Sequence, residues 1–205
     1  MNKEDSAFYG PYSESLEKTD QWLLTQLEDL LNTISVDPEL QPAEHLTHRI
    51  KSAESLKWKL QIQGIPNDIE SALRQTHDII GARLVVHFIG DVYELLEAIK
   101  GSSKWHVDKV KDYIANPKPN GYRSLHILLS VPFNAPGFKS LQIELQVRTI
   151  AMDCWASLEH QLHYKKKISH TTLIEDELKR CASEMASTDL SLQTIYELII
   201  KGEHQ

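Results

Sequence analysis

A short loop near the middle of the chain constrains the fold more than any other segment. Pro117, Pro119 and Gly121 exclude a helix or a strand from residues 116–121, while the segments on both sides are apolar enough for strands. Lysines surround this loop and Tyr122 follows it, so cations can neutralise phosphate while the tyrosine ring offers a face to a base. The loop therefore suits a phosphorylated ligand that carries a ring. An ordinary polar turn is the simpler alternative unless the rest of the chain completes a site.

The pattern of apolar residues predicts an α+β fold in which a mixed sheet of about five strands is flanked by helices. Strands are expected at 79–88, 105–113, 124–133 and 139–148, and residues 45–51 alternate weakly. Helices are expected at 14–34, 52–60 (closed by Gly64), 67–76, 91–100, 149–164 and 171–200. Asp91 is the predicted N-cap of the fourth helix.

The two ends of the chain form helical arms in this prediction. Residues 1–44 form the N-terminal arm, residues 45–165 the central domain and residues 166–205 the C-terminal arm. Both arms carry apolar stripes at helical spacing, which are Leu23, Leu27, Leu30 and Ile34 in the first and Ile174, Leu178, Cys181 and Met185 in the second. These stripes suit packing within the chain or against another copy, and the sequence does not distinguish the two.

Composition and charge narrow the classes of protein. No apolar run approaches the ~18 residues of a membrane span, and the first residues are too polar for a secretory signal. Two cysteines without metal-ligand spacing favour a reduced, cytoplasmic protein. The net charge of −7 disfavours broad nucleic-acid binding. Residues 45–126 nevertheless hold 12 Lys and Arg against 9 Asp and Glu, which suits a compact anionic ligand.

The segment 139–148 predicts a strand with two different faces. Four apolar side chains alternate with a polar set that consists of Gln142, Glu144, Gln146 and Arg148. A solvated face is the ordinary explanation, but two glutamines around a glutamate are typical of a cleft floor that needs directional donors and acceptors. Asp78 precedes another buried strand. If the two strands are neighbours, Asp78 and Glu144 can share a Mg²⁺ ion that bridges nucleotide phosphates.

A second cationic group lies near residue 50. Arg49 and Lys51 precede a short helix on which Ser55 and Lys59, four residues apart, share one face. Trp58 points roughly opposite to the apolar stripe of that helix, so we expect the helix to be covered on two sides, as a cleft wall is. An amphipathic helix with its lysines in solvent is the alternative.

Six blocks, in this order, resemble the synthetase domain of the RelA/SpoT family, and in particular its small alarmone synthetases. They are Arg49-x-Lys51-x-x-x-Ser55, Asp78-Ile-Ile-Gly-Ala-Arg83, Lys111-Asp-Tyr-Ile-Ala-Asn-Pro-Lys118, Asn120-Gly-Tyr-Arg-Ser-Leu-His126, Glu144-Leu-Gln-Val-Arg-Thr149 and Trp155-Ala-Ser-Leu-Glu-His160. Their order and spacing are more specific than any single motif. An upstream hydrolase domain and a downstream regulatory region do not fit in 205 residues, which favours the small, synthetase-only branch.

The resemblance implies transfer of pyrophosphate from ATP to the 3′-hydroxyl of GDP or GTP, which gives ppGpp or pppGpp together with AMP. On the ATP side it implies that Arg49 and Arg83 sandwich the adenine, and that the phosphates lie on Lys51, Ser55 and Lys59. On the acceptor side it implies guanine stacked on Tyr122, with further contacts from Lys111, Lys118, Asn120, His126 and Gln146. A homo-oligomer, such as the tetramers of related small synthetases, is also implied.

For the chemical step the resemblance implies that Asp78 and Glu144 bind Mg²⁺. Glu144 would also draw the proton from the acceptor hydroxyl, as a weak base, because contact with the metal lowers its proton affinity.

Two departures from the family pattern bear on substrate choice. The stretch before Gly64 is Gln61-Ile62-Gln63, without the cations usual there, so we expect a weaker grip on the ATP phosphates. Asp153 stands where some relatives carry Asn, and we expect it to accept hydrogen bonds from the guanine edge or to change base preference. The basic segment 109–112 leaves GDP versus GTP open.

Two other functions are compatible with the sequence. A toxic relative would pyrophosphorylate the 3′ end of tRNA, with the lysines at 165–167 against the RNA backbone, although the net charge disfavours RNA. A catalytically inactive nucleotide-binding module would not need both Asp78 and Glu144 among phosphates.

Overall fold

The structure is a computed structural model that describes residues 2–34, 43–164 and 171–203. Its central feature is one mixed sheet. Its strands are β1 (His45–Ile50), β2 (Ile80–Val86), β3 (His106–Asp112), β4 (Leu125–Ala135) and β5 (Phe138–Thr149). Their order across the sheet is β1-β2-β5-β4-β3. Strands β2 and β5 are parallel, and all other neighbours are antiparallel. The predicted α+β fold with about five strands is confirmed.

Helices surround this sheet. They are α1 (Lys3–Tyr9), a 3-10 turn (Gly10–Tyr12), α2 (Ser13–Ile34), α3 (Ala53–Gln63), α4 (Ile69–Gln75), α5 (Ile89–Gly101), α6 (Ile150–Tyr164) and α7 (Thr171–Glu203). Among the described residues, none of these helices has the length and apolarity needed to cross a membrane. The prolines at 38 and 42 and the lysines at 165–167 lie outside the described residues.

The predicted start of α5 is wrong by three residues. Phe88, not Asp91, is the N-cap, and Asp91 is the third residue of the helix. Its carboxylate accepts a hydrogen bond from the backbone N–H of Phe88 at 2.9 Å. An acidic side chain at this position serves the helix start as well as an N-cap does, because it satisfies a free N–H and complements the helix dipole.

The N-terminal helices pack on the apolar face of the sheet. Leu16, Leu23, Leu27 and Leu31 of α2 are buried in the main core together with alternate residues of β4 and β5. His48 of β1 bonds Asp20 of α2 at 2.8 Å, which ties the edge strand to this helix. The Tyr9 hydroxyl donates to the backbone carbonyl of Lys51 at 2.5 Å. The first apolar stripe is therefore part of the intrachain core.

Helix α7 packs on α6 through the first part of its length. Leu178, Cys181 and Met185 surround the buried Trp155, whose indole N–H donates to the Leu178 carbonyl at 2.9 Å. The Thr149 hydroxyl, at the start of α6, donates to the Asp189 carboxylate at 2.6 Å. Further along, α7 exposes a set of apolar side chains, which are Leu190, Leu192, Ile195, Leu198 and Ile199.

The two-sided cover predicted for α3 is not found among the described residues. Leu56 and Leu60 are fully buried, whereas the Trp58 side, which also carries Ile62, is exposed. The helix is an ordinary amphipathic helix in this respect, and its site-facing residue is Lys59.

The loop after β3 is held by α7 at Gly121. This glycine has φ +90°, and a Cβ atom built on it would lie 2.6 Å from the Cβ of Ala182. The Arg123 guanidinium donates to the carbonyls of Gly121 and Ala182 at 3.2 and 3.4 Å. The close approach of the loop to α7 therefore requires glycine at this position.

We predict that Gly121→Ala destabilises the protein by about 3 kcal/mol, from backbone strain together with the clash on Ala182. The matched control is Gly137→Ala, because Gly137 has φ +78° but its added Cβ would meet only the end of the Arg74 side chain, at 4.0 Å. Backbone strain alone predicts that Gly137→Ala lowers the free energy of unfolding by about 1 kcal/mol. Urea unfolding measures both, and equal losses in the two variants would contradict the clash.

Candidate active site

The polar face of the sheet gathers residues from all five strands into one row. Thr47, Arg83, Gln146, His126 and Lys111 are paired in register from β1 to β3. Residues two positions away on a strand point to the same face, so the next row adds Glu144 beside Gln146. The row joins the residues predicted for the ATP side to those predicted for the acceptor side.

The part of this face that is predicted to bind ATP is an open cleft of about 330 Å³. Its walls come from β1, the start of β2 and the middle of β5, and its polar lining includes Arg49, Lys51, Asp78, Arg83, Glu144 and Gln146. Gly81 forms part of the floor, opposite Glu144 in the parallel pair. A Cβ at Gly81 would have only a backbone oxygen within 4 Å, so the cleft reaches down to the backbone of β2 at this point.

Two lysines hold the Asp78 carboxylate in this cleft. Lys51 Nζ lies 2.5 Å from Oδ2, and Lys59 Nζ lies 2.6 Å from Oδ1. Burial raises the pKa of Asp78, but hydrogen bonds and charge from both lysines outweigh it and bring the pKa below its ordinary value. Asp78 is therefore ionised at neutral pH, and each of its oxygens has a cationic partner.

Glu144 lies between the two sides and has one partner on the neighbouring strand β4 and one on its own strand. His126 Nδ1 lies 3.2 Å from one carboxylate oxygen, and Gln146 Nε2 donates to the other at 2.8 Å. Burial raises the pKa of Glu144, but the hydrogen bonds from His126 and Gln146, with the charges of His126 and Lys111, lower it to about 2. This carboxylate is a weak proton acceptor even without a metal ion, so the low basicity expected from metal contact has a second cause.

The part of this face that is predicted to bind the acceptor is centred on the Tyr122 ring. Its hydroxyl lies 2.7 Å from His126 Nε2 and accepts a hydrogen bond from Arg148 Nη2 at 2.8 Å. The Lys118 ammonium lies 4.6 Å from the centre of this ring and 4.9 Å from that of Tyr113. The ring is thus fixed at its hydroxyl end by buried partners and contacted by an exposed cation from the loop.

The loop itself contains Asn120. Its side-chain oxygen accepts from the backbone N–H of Tyr122 at 3.1 Å, and its nitrogen donates to Glu159 of α6 at 3.3 Å. Lys111 pairs with His126 across β3 and β4. These contacts place Asn120 next to Tyr122, and Lys111 next to His126 on the strand at the β3 edge of the sheet.

Asp153, in the first turn of α6, lies between two arginines. One of its oxygens accepts from Arg148 at 2.9 Å and from Arg83 at 3.1 Å, and the other lies 3.9 Å from His45. Asp153 thus contacts Arg83, which is predicted to bind ATP, and Arg148, which contacts Tyr122 on the side predicted for the acceptor. Its contact with the guanine edge stays a prediction.

Ser55 and Arg49 are the least engaged of the predicted residues. Ser55 is exposed in the first turn of α3 and bonds Ser52 at 2.9 Å. Arg49 is exposed on β1 and lies on the same face as Arg83, with Thr47 opposite Arg83 and Gly81 opposite Arg49. Arg49 and Arg83 are thus diagonal neighbours, and the Cα atoms of such neighbours are roughly 7–8 Å apart.

Sequence analysis assigned no role to Tyr113 and Arg148. The Tyr113 ring packs edge-on against Tyr122 and His126. The Arg148 side chain is buried, with three hydrogen-bond acceptors around it. The alternation of β5 placed Arg148 on the face of Glu144, and this was the signal that could have identified it.

Comparison with known proteins identifies the family of the chain. A protein-family model, described as the region found in RelA and SpoT proteins, matches residues 48–169. This segment contains every predicted site residue. The chain belongs to the RelA/SpoT family.

Two relatives in this family come from Bacillus subtilis. GTP pyrophosphokinase YwaC is 42% identical over 142 residues, which cover 69% of this chain and 68% of that protein. GTP pyrophosphokinase YjbM is 31% identical over 188 residues, which cover 91% and 85%. A similar solved structure, the small alarmone synthetase 1 of Bacillus subtilis bound to its product pppGpp, has a TM-score of 0.80 at 27% identity and covers 97% of this chain and 99% of that one.

The low pKa of Glu144 predicts a contribution to stability that depends on pH. A depressed pKa stabilises the fold above the unfolded value of 4.5, and this contribution is lost as pH falls towards about 2. The difference in free energy of unfolding between the wild type and Glu144→Gln should therefore shrink by about 2 kcal/mol from pH 6 to pH 3. Urea unfolding at both pH values measures it, with the exposed Glu28→Gln as a control. A difference that does not change with pH would contradict the interactions described for Glu144.

Proposed function

We propose that this chain is a GTP pyrophosphokinase that makes ppGpp or pppGpp. It transfers the terminal pyrophosphate of ATP to the 3′-hydroxyl of GDP or GTP and releases AMP. The observation that carries this proposal is the position of Glu144 on one sheet face, between a cleft lined by Arg49, Lys51 and Asp78 and a tyrosine surrounded by cations. A reaction between two nucleotides needs two such half-sites on either side of one carboxylate.

On the ATP side, Arg49 and Arg83 bind the adenine. Their diagonal positions on β1 and β2 put their Cα atoms roughly 7–8 Å apart, so the two long side chains can reach opposite faces of one planar ring. Lys51, Ser55 and Lys59 bind the phosphates. The two lysines now hold Asp78, so the phosphates of ATP compete with this carboxylate for their ammonium groups.

On the acceptor side, guanine stacks on Tyr122, and Lys111, Lys118 and His126 bind the acceptor phosphates. Lys118 lies over the Tyr122 ring in this structure. Because it belongs to an exposed loop position, Lys118 can leave the ring for a phosphate when the base arrives. Asn120, Gln146 and Asp153 contact the acceptor nucleoside.

The chemical step is an in-line displacement. The 3′ oxygen of the acceptor forms a bond to the β-phosphorus of ATP, the bond from that phosphorus to the α,β-bridging oxygen breaks, and AMP leaves. Glu144 accepts a hydrogen bond from the attacking hydroxyl and receives its proton late, because its pKa is about 2. Orientation of the hydroxyl is thus its main contribution, and the surrounding cations stabilise the charge that develops on the phosphoryl oxygens.

Asp78 and Glu144 fit a magnesium site by their chemistry. Both carboxylates line the same cleft, and both have pKa values below the ordinary range, so both are ionised at neutral pH. Mg²⁺ prefers a few carboxylate oxygens together with substrate phosphates. When bound, the ion would supply charge neutralisation to the transferring pyrophosphate.

Assembly and location complete the proposal. Residues 45–165 hold every residue to which it gives a role, and the helical arm at 166–205 contributes the exposed apolar side chains of α7 to a homo-oligomer, such as a tetramer. The enzyme acts in the cytoplasm, where ATP and GTP are available, and its two cysteines are free. Mass measurement in solution tests the oligomer.

We predict that the purified protein, with Mg²⁺ and ATP, forms AMP and a guanosine 3′-pyrophosphate from GDP or GTP. Separate incubations with GMP, GDP, GTP and tRNA, resolved by chromatography, identify the acceptor. Glu144→Gln should lower kcat by at least about 100-fold, because the hydroxyl loses its carboxylate partner. The control Glu28→Gln makes the same change of charge on the outer surface of α2 and should keep full activity.

Each other outcome of this assay has a defined meaning. Label transferred from ATP to tRNA, with no guanosine product, would replace the proposal by the tRNA-modifying alternative. No AMP with any acceptor would replace it by the inactive nucleotide-binding module.

We predict that loss of the Tyr122 ring weakens binding of GDP about tenfold or more, since base stacking on an aromatic ring contributes about 1–3 kcal/mol. Tyr122→Leu removes the ring, and Tyr122→Phe, the matched control, keeps it and loses only the bonds of the hydroxyl. Titration calorimetry of each nucleotide alone should show weaker GDP binding chiefly in the leucine variant, with ATP-analogue binding within twofold of the wild type. Equal losses for both nucleotides would show that Tyr122 supports the fold instead.

A further inference from the structure

Arg148 is the most deeply buried cation of the site, and the reaction described above gives it no role. Its side chain is 6% exposed. Nη2 donates to the Tyr122 hydroxyl and to Gln146 Oε1, both at 2.8 Å, and its guanidinium lies 5.2 Å from the centre of the Tyr122 ring. One side chain therefore fixes two acceptor-side residues at once, although it does not itself line the cleft.

The other end of the Arg148 guanidinium reaches towards the ATP side. Nη1 donates to Asp153 Oδ1 at 2.9 Å, and the same oxygen accepts from Arg83 Nη1 at 3.1 Å. The Arg83 side chain is 38% exposed and lines the cleft. The chain Arg83–Asp153–Arg148–Tyr122 is thus a continuous series of hydrogen bonds from one half-site to the other.

Sharing one carboxylate makes the two guanidiniums depend on each other. Each needs Asp153 to compensate its charge, and the Nε atoms of both arginines are buried without a hydrogen-bond partner among the described residues. Asp153 is the carboxylate that both guanidiniums contact, and its Oδ1 atom accepts from each of them. Adenine stacked on Arg83 would fix its plane, and with it Asp153 and Arg148. A shift of Asp153 on ATP binding would pass through Arg148 to Tyr122 and Gln146, the residues proposed to meet the second nucleotide.

We propose that Arg148 is a positioning residue that couples the two nucleotide sites through Asp153. ATP bound at Arg83 raises the affinity for the acceptor at Tyr122, and the acceptor raises the affinity for ATP by the same factor, as linkage requires. This inference rests on the proposed function, because it presupposes that the two half-sites bind the two nucleotides.

The test measures the coupling factor in the full chain. The affinity of an ATP analogue with a methylene group in place of the α,β-bridging oxygen is measured by titration calorimetry, with and without saturating GDP. We expect the wild type to bind the analogue at least about fivefold more tightly with GDP, as for typical coupled sites. Arg148→Met and Asp153→Asn should bring this factor to within twofold of one.

The variants separate coupling from ordinary structural damage. Asp153→Asn keeps the size of the side chain and removes the charge that both arginines share. Arg74→Met is the matched control, because its guanidinium lies over the Phe138 ring, 4.7 Å from its centre, outside the site. It should keep the wild-type coupling factor. Thermal unfolding checks that each variant is folded.

The outcomes are distinguishable from failure of the proposed function. If the wild type binds neither nucleotide, or makes no AMP, the proposed function is wrong. If it binds both but the coupling factor is close to one, or if both variants keep the wild-type factor, the role of Arg148 is overturned while the proposed function stands.

Discussion

The parallel pairing of β2 with β5 is the constraint on which the site depends. It is the one parallel pair in the described sheet, and it sets Gly81 opposite Glu144 and Arg83 opposite Gln146. Because side chains alternate along both strands, a slip of one residue would turn Glu144 and Gln146 into the core and bring Leu145 to the cleft. The apolar side of β5, covered by the helices, holds this register in place.

Electrostatics in the site follows a common pattern on both sides. Cations that the proposed function gives to phosphates are held by groups of the site itself, Lys51 and Lys59 by Asp78 and Lys118 by the Tyr122 ring. A substrate phosphate that binds Lys51, Lys59 or Lys118 must therefore replace an existing partner of that lysine. This arrangement lowers the cost of keeping several cations close together in a partly buried cleft, and it makes binding selective for ligands that compensate the displaced partners.

Much of the fold and part of the site could be predicted from sequence because the signals are local. Alternation in 139–148 identified β5 and its polar face, and the loop signals at Pro117 and Gly121 identified the break between β3 and β4. The Asp91 error arose because a carboxylate at the third helical residue gives the same signal as an N-cap. The cover predicted for Trp58 was wrong because an aromatic residue in a helical sequence does not indicate whether another element packs on it.

The sequence could not show which distant residues come into contact, because those contacts depend on strand order and on the register between strands. Arg83 and Asp153 are 70 residues apart, and they meet only because α6 starts directly after β5 beside β2. The same holds for the packing of Arg123 and Gly121 against α7. Charge and alternation identify candidate residues, but the order of the strands decides which of them touch.

The contacts of α7 with the Gly121 loop extend beyond the sequence that defines the family. The region shared with RelA and SpoT proteins ends at residue 169, yet the carbonyl of Ala182 and the carboxylate of Asp189 hold the acceptor loop and the start of α6. Before the start of the shared region, the Tyr9 hydroxyl donates a hydrogen bond to the backbone carbonyl of Lys51. The geometry of the candidate site is therefore set in part by residues outside the segment by which the family is recognised.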